Sequence, residues 1–354
     1  MQVNNRILLG MSGGLDSTMS ALLLKQQGYQ VIGLTLKTWH LHPAKYEQEL
    51  QKAASLAKKL NIEHSILDIS HSFHEEVVDY FCREYQTGRT PNPCNRCNPV
   101  IKWPWLIKKA EELNCRFVAT GHYVQKVKDN GKWYIKKGAD PSKDQSYFLW
   151  NLSQEILEKA IFPLGNLTKS EVRQMALDYG LKETARKQES MCVCFLGGTN
   201  YRDFLTQKQA NNELTIHPGK IVDEEGNLLG AHRGLAFFTI GQKKGLGLPD
   251  KKFFVKEMDP ETNRIIVSKT ASLSTSTLKL TEFNLIPHLE ENRKYQVDIR
   301  IRGIDKVPSL PGFITLHSDK LLVDFEEEAW GITPGQSIVF YQKNIVIGGG
   351  LVIS

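Results

Sequence analysis

The sequence predicts an α/β protein: a doubly wound parallel sheet, then a small β-rich central domain and a C-terminal β-barrel. Three observations carry this. First, a glycine-rich turn, Gly10-Met-Ser-Gly-Gly-Leu-Asp-Ser17, separates the apolar run Ile7-Leu8-Leu9 from a helical stretch at Ser20–Leu24. Second, apolar runs and helical stripes alternate through about residue 120. Third, beyond about residue 205 short apolar runs alternate with glycine and charge, and from about 277 strand patterns continue to the end.

Taken in order, the turn and its helix lead at Gly28 into a second parallel strand, Val31–Leu36, completing a βαβ unit. Residues 44–60 place Leu50, Ala53, Ala54, Ala57 and Leu60 on one helical stripe behind Pro43. Ile62–Ile69 reads as a strand and Phe73–Tyr85 as a helix. Phe117–Thr120 reads as a buried strand with Gly121-His122-Tyr123 at its carboxyl end. Ligands of such sheets bind at that edge, which makes His122 a candidate site residue as well as a candidate core histidine.

Residues 124–137 form a predicted hairpin around Asp129-Asn130-Gly131, lined by Lys126, Lys128, Lys132, Lys136 and Lys137. With Trp133, Tyr134 and Tyr147 interleaved, the lysines read either as a solvated face or as a nucleic-acid contact. Helices are predicted at Ser153–Ala160 and Lys169–Tyr179. The central module has apolar runs at Lys220–Val222, Leu235–Ile240, Phe253–Val255 and Arg264–Val267. In Tyr295–Arg302, Val297, Ile299 and Ile301 alternate with Gln296, Asp298, Arg300 and Arg302, and further runs follow at 313–316, 321–325, 337–341 and 345–353. The predicted domains are 1–204, 205–276 and 277–354.

The chain has 354 residues, 24% charged and 41% hydrophobic, as in soluble globular proteins. Its N-terminus is polar, the first apolar run is too short for a signal peptide, and no window approaches a membrane span. A cytoplasmic protein is expected. The net charge of +6 permits a polyanionic partner without demanding one. Six cysteines are too few for a disulfide scaffold in a chain of this size.

The chemistry of the glycine turn follows from its residue types. Gly13 and Gly14 lack Cβ atoms, so backbone N–H groups can close on an anion. Ser12 and Ser17 add hydroxyls, and the following helix turns its positive end toward the loop. Asp16 stands out, because a carboxylate beside a phosphate needs Mg²⁺ or a donor group between them. The spacing is neither Walker A nor Gly-x-Gly-x-x-Gly. It resembles the PP-loop of the ATP pyrophosphatases, which implies binding of ATP through its pyrophosphate.

The cysteines cluster in two motifs. Thr90–Asn98, TPNPCNRCN, holds Cys94 and Cys97, and SMCVCF holds Cys192 and Cys194. A zinc site of four thiolates, a redox or sulfur-relay pair and a 4Fe–4S iron–sulfur cluster all suit this arrangement. Cys82 and Cys115 read as core cysteines.

GMSGGLDS, GRTPNPCNRCN, ATGHY, SKDQSYFL, FPLGNLTKSEVR, CFLGG, GQKKGLGLP and TPGQS occur in this order and together resemble the tRNA 2-thiouridylase family nearly end to end. The resemblance implies a PP-loop ATP pyrophosphatase domain, a central domain and a C-terminal barrel. It also implies sulfur transfer to C2 of the wobble uridine in the tRNAs for Lys, Glu and Gln. The family's nucleotide contacts fall on Gly10, Met11, Ser12, Gly13, Gly14, Leu15, Asp16, Ser17, Leu36 and Gly121. Its working cysteines fall on Cys97 and Cys194. Its tRNA contacts fall on Asn92, Pro93, Cys94, His122, Lys143, Asp144, Gln145, Arg300, Ile301 and Gln336.

The implied chemistry uses ATP and Mg²⁺ to adenylate the uridine C2 oxygen. Cys194 then carries a persulfide delivered by a donor protein, and a Cys97–Cys194 disulfide results. Arg96 and Lys187 are candidates for lowering the thiol pKa values. Two departures stand out. Cys94 replaces the family's Asp in Pro-Asn-Pro-Asp, and Cys192 replaces a Gly of the second motif. Both place a thiol beside a catalytic cysteine, so a 4Fe–4S cluster on Cys94, Cys97 and Cys194, with Cys192 as alternate ligand, is the rival expectation to the persulfide relay.

Overall fold

A computed structural model describes residues 4–186, 193–270, 273–303 and 309–353. In chain order the elements are β1 (Arg6–Gly10), α1 (Leu15–Gln26), β2 (Gln30–Lys37), α2 (Pro43–Lys59), β3 (Glu63–Asp68), α3 (Ser70–Phe73), α4 (Asp79–Gln86), α5 (Pro93–Cys97) and α6 (Trp103–Glu112). There follow β4 (Phe117–Ala119), β5 (Val124–Asp129), β6 (Lys132–Lys137), α7 (Gln154–Lys159), β7 (Ala160–Ile161), α8 (Lys169–Asp178), α9 (Lys182–Arg186) and α10 (Tyr201–Ala210). The remainder is β: β8 (Gly219–Val222), β9 (Leu228–His232), β10 (Phe254–Asp259), β11 (Arg264–Ser268), β12 (Ser274–Leu280), β13 (Glu282–Leu285), β14 (Lys294–Arg300), β15 (Leu310–His317), β16 (Lys320–Trp330), β17 (Ser337–Gln342) and β18 (Ile345–Leu351).

The chain divides into two compact units. The first comprises Met1–Val77, Cys94–Gly198 and Asn344–Ile347. Its sheet has the order β3-β2-β1-β4-β7, with parallel pairs throughout. The short Ile7-Leu8-Leu9 run is fully buried because both faces of β1 are covered. One cluster packs Ile7, Leu9, Ala21, Leu24, Val31, Ile62 and Ala119; another packs Leu15, Met19, Tyr123, Leu164, Val172, Ala176 and Ala185. Strand order reverses between β1 and β4, and the crevice at their carboxyl ends is where such a sheet binds ligands. Helix α8, which reaches this crevice, starts on a capping box formed by Thr168 and Glu171.

The second unit comprises Val78–Pro93, Thr199–Lys343 and Gly348–Ser354. It contains a sheet ordered β10-β11-β8-β9 and the C-terminal barrel-type sheet running β12-β16-β15-β14-β17-β18, with β13 on β18. Two expectations need correction. Leu235–Ile240 is not a strand: Leu235–Phe237 form a tight helical turn after Gly234, and Leu235, Ala236, Phe237 and Phe238 are all buried. An apolar run without alternation fits a buried turn as well as a strand. The helix expected over Phe73–Tyr85 is interrupted by a π-helical stretch at His74–Val78. Among the described residues, no helix is long and apolar enough to cross a membrane.

Candidate active site

Gly10 ends β1, and Gly14 precedes α1 in extended conformation without any side-chain cap. The first N–H groups of the helix are therefore open to an anion. Ser12 donates its backbone N–H to Ser17 Oγ at 3.3 Å, closing the loop, and the two hydroxyls are 3.4 Å apart. Gly13 has φ +69°, and a Cβ there would lie 2.8 Å from Ala53 Cα, so glycine is required. A Cβ on Gly121 would lie 3.0 Å from the Asp16 carbonyl carbon and 3.1 Å from Ser17 N. The end of β4 thus presses directly on the glycine loop. Met11 is buried beneath it, and Leu36, at the end of β2, accepts a hydrogen bond from Tyr46.

Asp16 has donor groups of its own. Its Oδ1 accepts from Lys169 Nζ at 2.7 Å and from the Tyr123 hydroxyl at 2.8 Å. The Lys169 side chain is 7% exposed and that of Asp16 35%, so the pair bridges the interior and the crevice. Lys169 is fixed in turn, its backbone N–H donating to Asp140. The sequence singled out Asp16 but missed both partners. Lys169 lies inside FPLGNLTKSEVR and Tyr123 ends ATGHY, so the motifs contained the signal while their pairing is a tertiary fact.

Cys94 and Cys97 flank the single turn of α5, and Cys194 opens a short helical turn at Cys194–Leu196. Cys94 and Cys194 are reached by solvent and Cys97 is half-buried, while neighbouring protein desolvates all three sulfurs. Desolvation pushes the Cys97 thiol up to about 11 and the Cys194 thiol up to about 12, and raises Cys94 as well. For Cys194 the next causes are the neighbouring charges of Cys94 and Cys97. Lys102 opposes the rise at each of the three. Lys102 was not anticipated, although it stands five residues after Cys97. Arg96, the candidate named from sequence, is instead paired with Glu76 at 2.5 Å. Lys187 and Cys192 lie outside the described residues.

His122 Nδ1 meets Thr120 Oγ1 at 2.7 Å, and desolvation, reinforced by Lys102, holds the ring well below its ordinary pKa. A neutral imidazole stands there at pH 7. The Lys143-Asp144-Gln145 segment is tied inward at two of its three positions. Asp144 is buried and accepts from Gly138 and Ser146, while Gln145 Oε1 accepts from the Tyr123 backbone. Asn98 is buried and donates to the Phe148 carbonyl.

His40 was not foreseen at all. It hydrogen-bonds the Cys194 backbone, its Nδ1 accepts the His42 N–H at 3.0 Å, and its ring stacks on Tyr46 at 4.8 Å. In the lysine hairpin, Trp133 carries the Lys126 ammonium at 4.1 Å, and Lys126 also donates to the Leu157 carbonyl at the end of α7. Tyr134 and Tyr147 are buried, so neither offers a free stacking face.

In the second unit, the Thr90 N–H donates to the Pro334 carbonyl at 2.7 Å, and a Cβ on Gly335 would lie 3.0 Å from Thr90 N. The segments carrying Asn92-Pro93 and Gln336 are thereby brought together. Arg300 is turned onto the Arg302 and Gly303 carbonyls, and Ile301 is buried.

A parallel sheet with an uncapped glycine loop at its switch point, backed by an Asp–Lys–Tyr cluster, defines a PP-loop type of nucleotide-using enzyme. The family model described as tRNA methyl transferase HUP domain matches residues 5–198, the tRNA methyl transferase PRC-barrel domain 202–269, and the aminomethyltransferase beta-barrel domain 275–352. The tRNA-specific 2-thiouridylase MnmA 2 of Phocaeicola vulgatus is 40% identical, with 99% of this chain and 98% of that protein covered. The tRNA-specific 2-thiouridylase MnmA of Cytophaga hutchinsonii is 39% identical, with 100% and 99% covered. That of Caldanaerobacter subterraneus, MnmA 1, is 42% identical, with 99% of each covered. The chain belongs to the tRNA-specific 2-thiouridylase MnmA family.

Proposed function

We propose that this protein is a cytoplasmic, ATP-dependent tRNA-uridine 2-sulfurtransferase acting on the wobble uridine of the tRNAs for Lys, Glu and Gln. One observation carries the assignment of its site. Gly121 packs on the glycine loop, and the next residue, His122, feels the charge of Lys102, which also acts on all three thiols. The nucleotide loop and the three thiols therefore lie near one another within one unit.

In this reading Gly10–Ser17, Leu36 and Gly121 hold ATP, with the loop amides on its pyrophosphate. Mg²⁺, when bound, would neutralise phosphate charge, and Asp16, steadied by Lys169 and Tyr123, is the carboxylate of the loop that would hold it. The uridine C2 carbonyl is a poor electrophile, and transfer of AMP onto its oxygen turns that oxygen into a leaving group. The base must leave the anticodon stack to be reached.

Sulfur arrives as a Cys194 persulfide from a donor protein. The Cys97 thiolate attacks the Cys194 sulfur, the persulfide S–S bond breaks, and a Cys97–Cys194 disulfide forms as hydrosulfide leaves. Hydrosulfide adds to C2 and AMP departs with the former carbonyl oxygen. A reductant supplies the two electrons that restore the thiols. Cys94, held as a neutral thiol by its raised pKa, can donate its proton to the departing sulfur, which then leaves as hydrosulfide. Among the described residues no group of three His, Cys, Asp or Glu side chains converges as a metal site, and Cys192, the alternate ligand of the 4Fe–4S expectation, lies outside them.

Asn92, Pro93, Cys94, His122, Lys143, Gln145, Arg300 and Gln336 are the proposed tRNA contacts, while Asp144 and Ile301, both buried, hold their neighbours in place for that contact. The proposed domains, 1–204, 205–276 and 277–354, are supported by the matched ranges. The test is nucleoside mass spectrometry on unmodified tRNA-Lys incubated with iron-free protein, ATP, Mg²⁺ and a persulfide donor. 2-Thiouridine is expected. Its absence with iron-free protein, and its appearance only after iron–sulfur reconstitution, would overturn the persulfide route.

A further inference from the structure

The loop Gly241–Pro249, GQKKGLGLP, lies far in sequence from the glycine loop and the cysteines, and nothing in the thiolation chemistry uses it. In the second unit it borders a recess of about 500 Å³ lined by Arg202, Arg233, Phe237, Phe238, Gln242 and Lys244, with Gly245 at its edge. Among the described residues, three cations line it and no carboxylate does. Like charges gathered without an acidic partner repel one another, a cost that an anionic ligand reverses.

The recess is built rather than incidental. Arg202 donates through Nε to the Phe237 carbonyl at 2.9 Å and through Nη2 to Gln242 Oε1 at 3.0 Å, and its guanidinium lies 4.7 Å from the Tyr201 ring. Gln242 passes the constraint on, donating through Nε2 to the Lys244 carbonyl at 2.8 Å. The loop turns through left-handed conformations at Gly241, Gly245 and Gly247, and is pinned where Gly241 donates to the Val255 carbonyl and Val255 to that of Gln242. Arg233 lies 4.1 Å over the Phe237 ring. Arg233, Lys244 and Gly245 are exposed, so the rim is open to solvent, while Phe237 and Phe238 close the floor. A small-molecule site encloses most of its ligand. An open rim of cations suits a chain of phosphates that passes across it.

We propose that this recess grips the sugar–phosphate backbone of RNA, with Arg202 as a fixed base and Arg233 and Lys244 as the phosphate contacts. The identification of that RNA as substrate tRNA rests on the function proposed above. It is tested by measuring tRNA affinity across a salt series for the full-length protein, Arg233→Glu/Lys244→Glu, and Lys243→Glu. The last lies in the same loop but does not line the recess.

Loss of two phosphate contacts should weaken binding roughly ten- to a hundredfold near physiological salt, and flatten the log–log salt slope by about 1.4–1.8. Lys243→Glu should do markedly less. Circular dichroism and melting temperature establish that the variants are folded. An unchanged slope in the folded double variant overturns the proposal. So does saturable binding of inorganic phosphate or AMP that the double variant loses, since that would make the recess a small-molecule site. Because the readout is affinity, failure to form 2-thiouridine would overturn the function without touching this result.

Discussion

Replacing Cys97 with serine is expected to stop 2-thiouridine formation while leaving a persulfide on Cys194, whereas Cys194→Ser should carry no persulfide and form no product. A hydroxyl at either position cannot form or resolve the sulfur–sulfur bond, so each loss should reach at least about a thousandfold. Mass spectrometry of donor-treated protein reads the persulfide, and single-turnover assays with tRNA read the product. The parent enzyme should add a pH signature. Attack on the persulfide requires the Cys97 thiolate, and burial pushes that thiol up to about 11. Single-turnover sulfur release at limiting thiolate should therefore climb nearly tenfold per pH unit between pH 7 and 9. A flat profile would mean that bound substrates lower this pKa or that another group attacks. Cys97→Ser with undiminished product would remove the disulfide step altogether.

Lys169→Met is expected to damage both nucleotide use and stability. It leaves the Asp16 carboxylate without its cation at the mouth of the glycine loop, while Tyr123 still donates to it. An exposed ion pair contributes under about 1 kcal/mol and breaking a fully buried one costs about 3–5. Asp16 is partly exposed and Lys169 nearly buried, so a loss of about 1–3 kcal/mol is the expected result, read from the denaturant midpoint. tRNA-dependent pyrophosphate release should fall about a hundred- to a thousandfold, because a misplaced carboxylate repels the phosphate it faces. Lys169→Arg keeps the charge and should recover part of the activity. If Lys169→Met released pyrophosphate at the parental rate, Asp16 would need no orientation from it.

Much of the fold was legible because its signals are local. The apolar run before the glycine turn, the stripe Leu50–Ala53–Ala57 and the Asp129-Asn130-Gly131 turn each encode a single element, and each forms where expected. Leu235–Ile240 misled because burial of every side chain removes the alternation that distinguishes a strand. The candidate site could be read where its chemistry is written in a motif, at Gly13, Asp16, Cys97 and Cys194. Residues that act through space were not. Lys169 reaches Asp16 across 153 positions. His40 contacts the Cys194 backbone from the loop after β2, and no spacing rule links them. Lys102 follows Cys97 along a π-helical stretch, Asn98–Lys102, a local geometry that the ordinary helical period does not reveal. Asp144 shows the converse: a motif residue that reads as exposed chemistry is spent inside, stitching Gly138 to Ser146.

The central claim is that ATP and cysteine chemistry meet at one carbon, the uridine C2. Labelling the C2 oxygen of the wobble uridine with ¹⁸O and following one turnover by mass spectrometry tests it most directly. The account predicts that the label leaves the base as 2-thiouridine forms and appears in AMP, one ¹⁸O per thiolated base. Label found in inorganic phosphate or water, with unlabelled AMP, would contradict adenylation of the C2 oxygen and with it the mechanism built on the glycine loop.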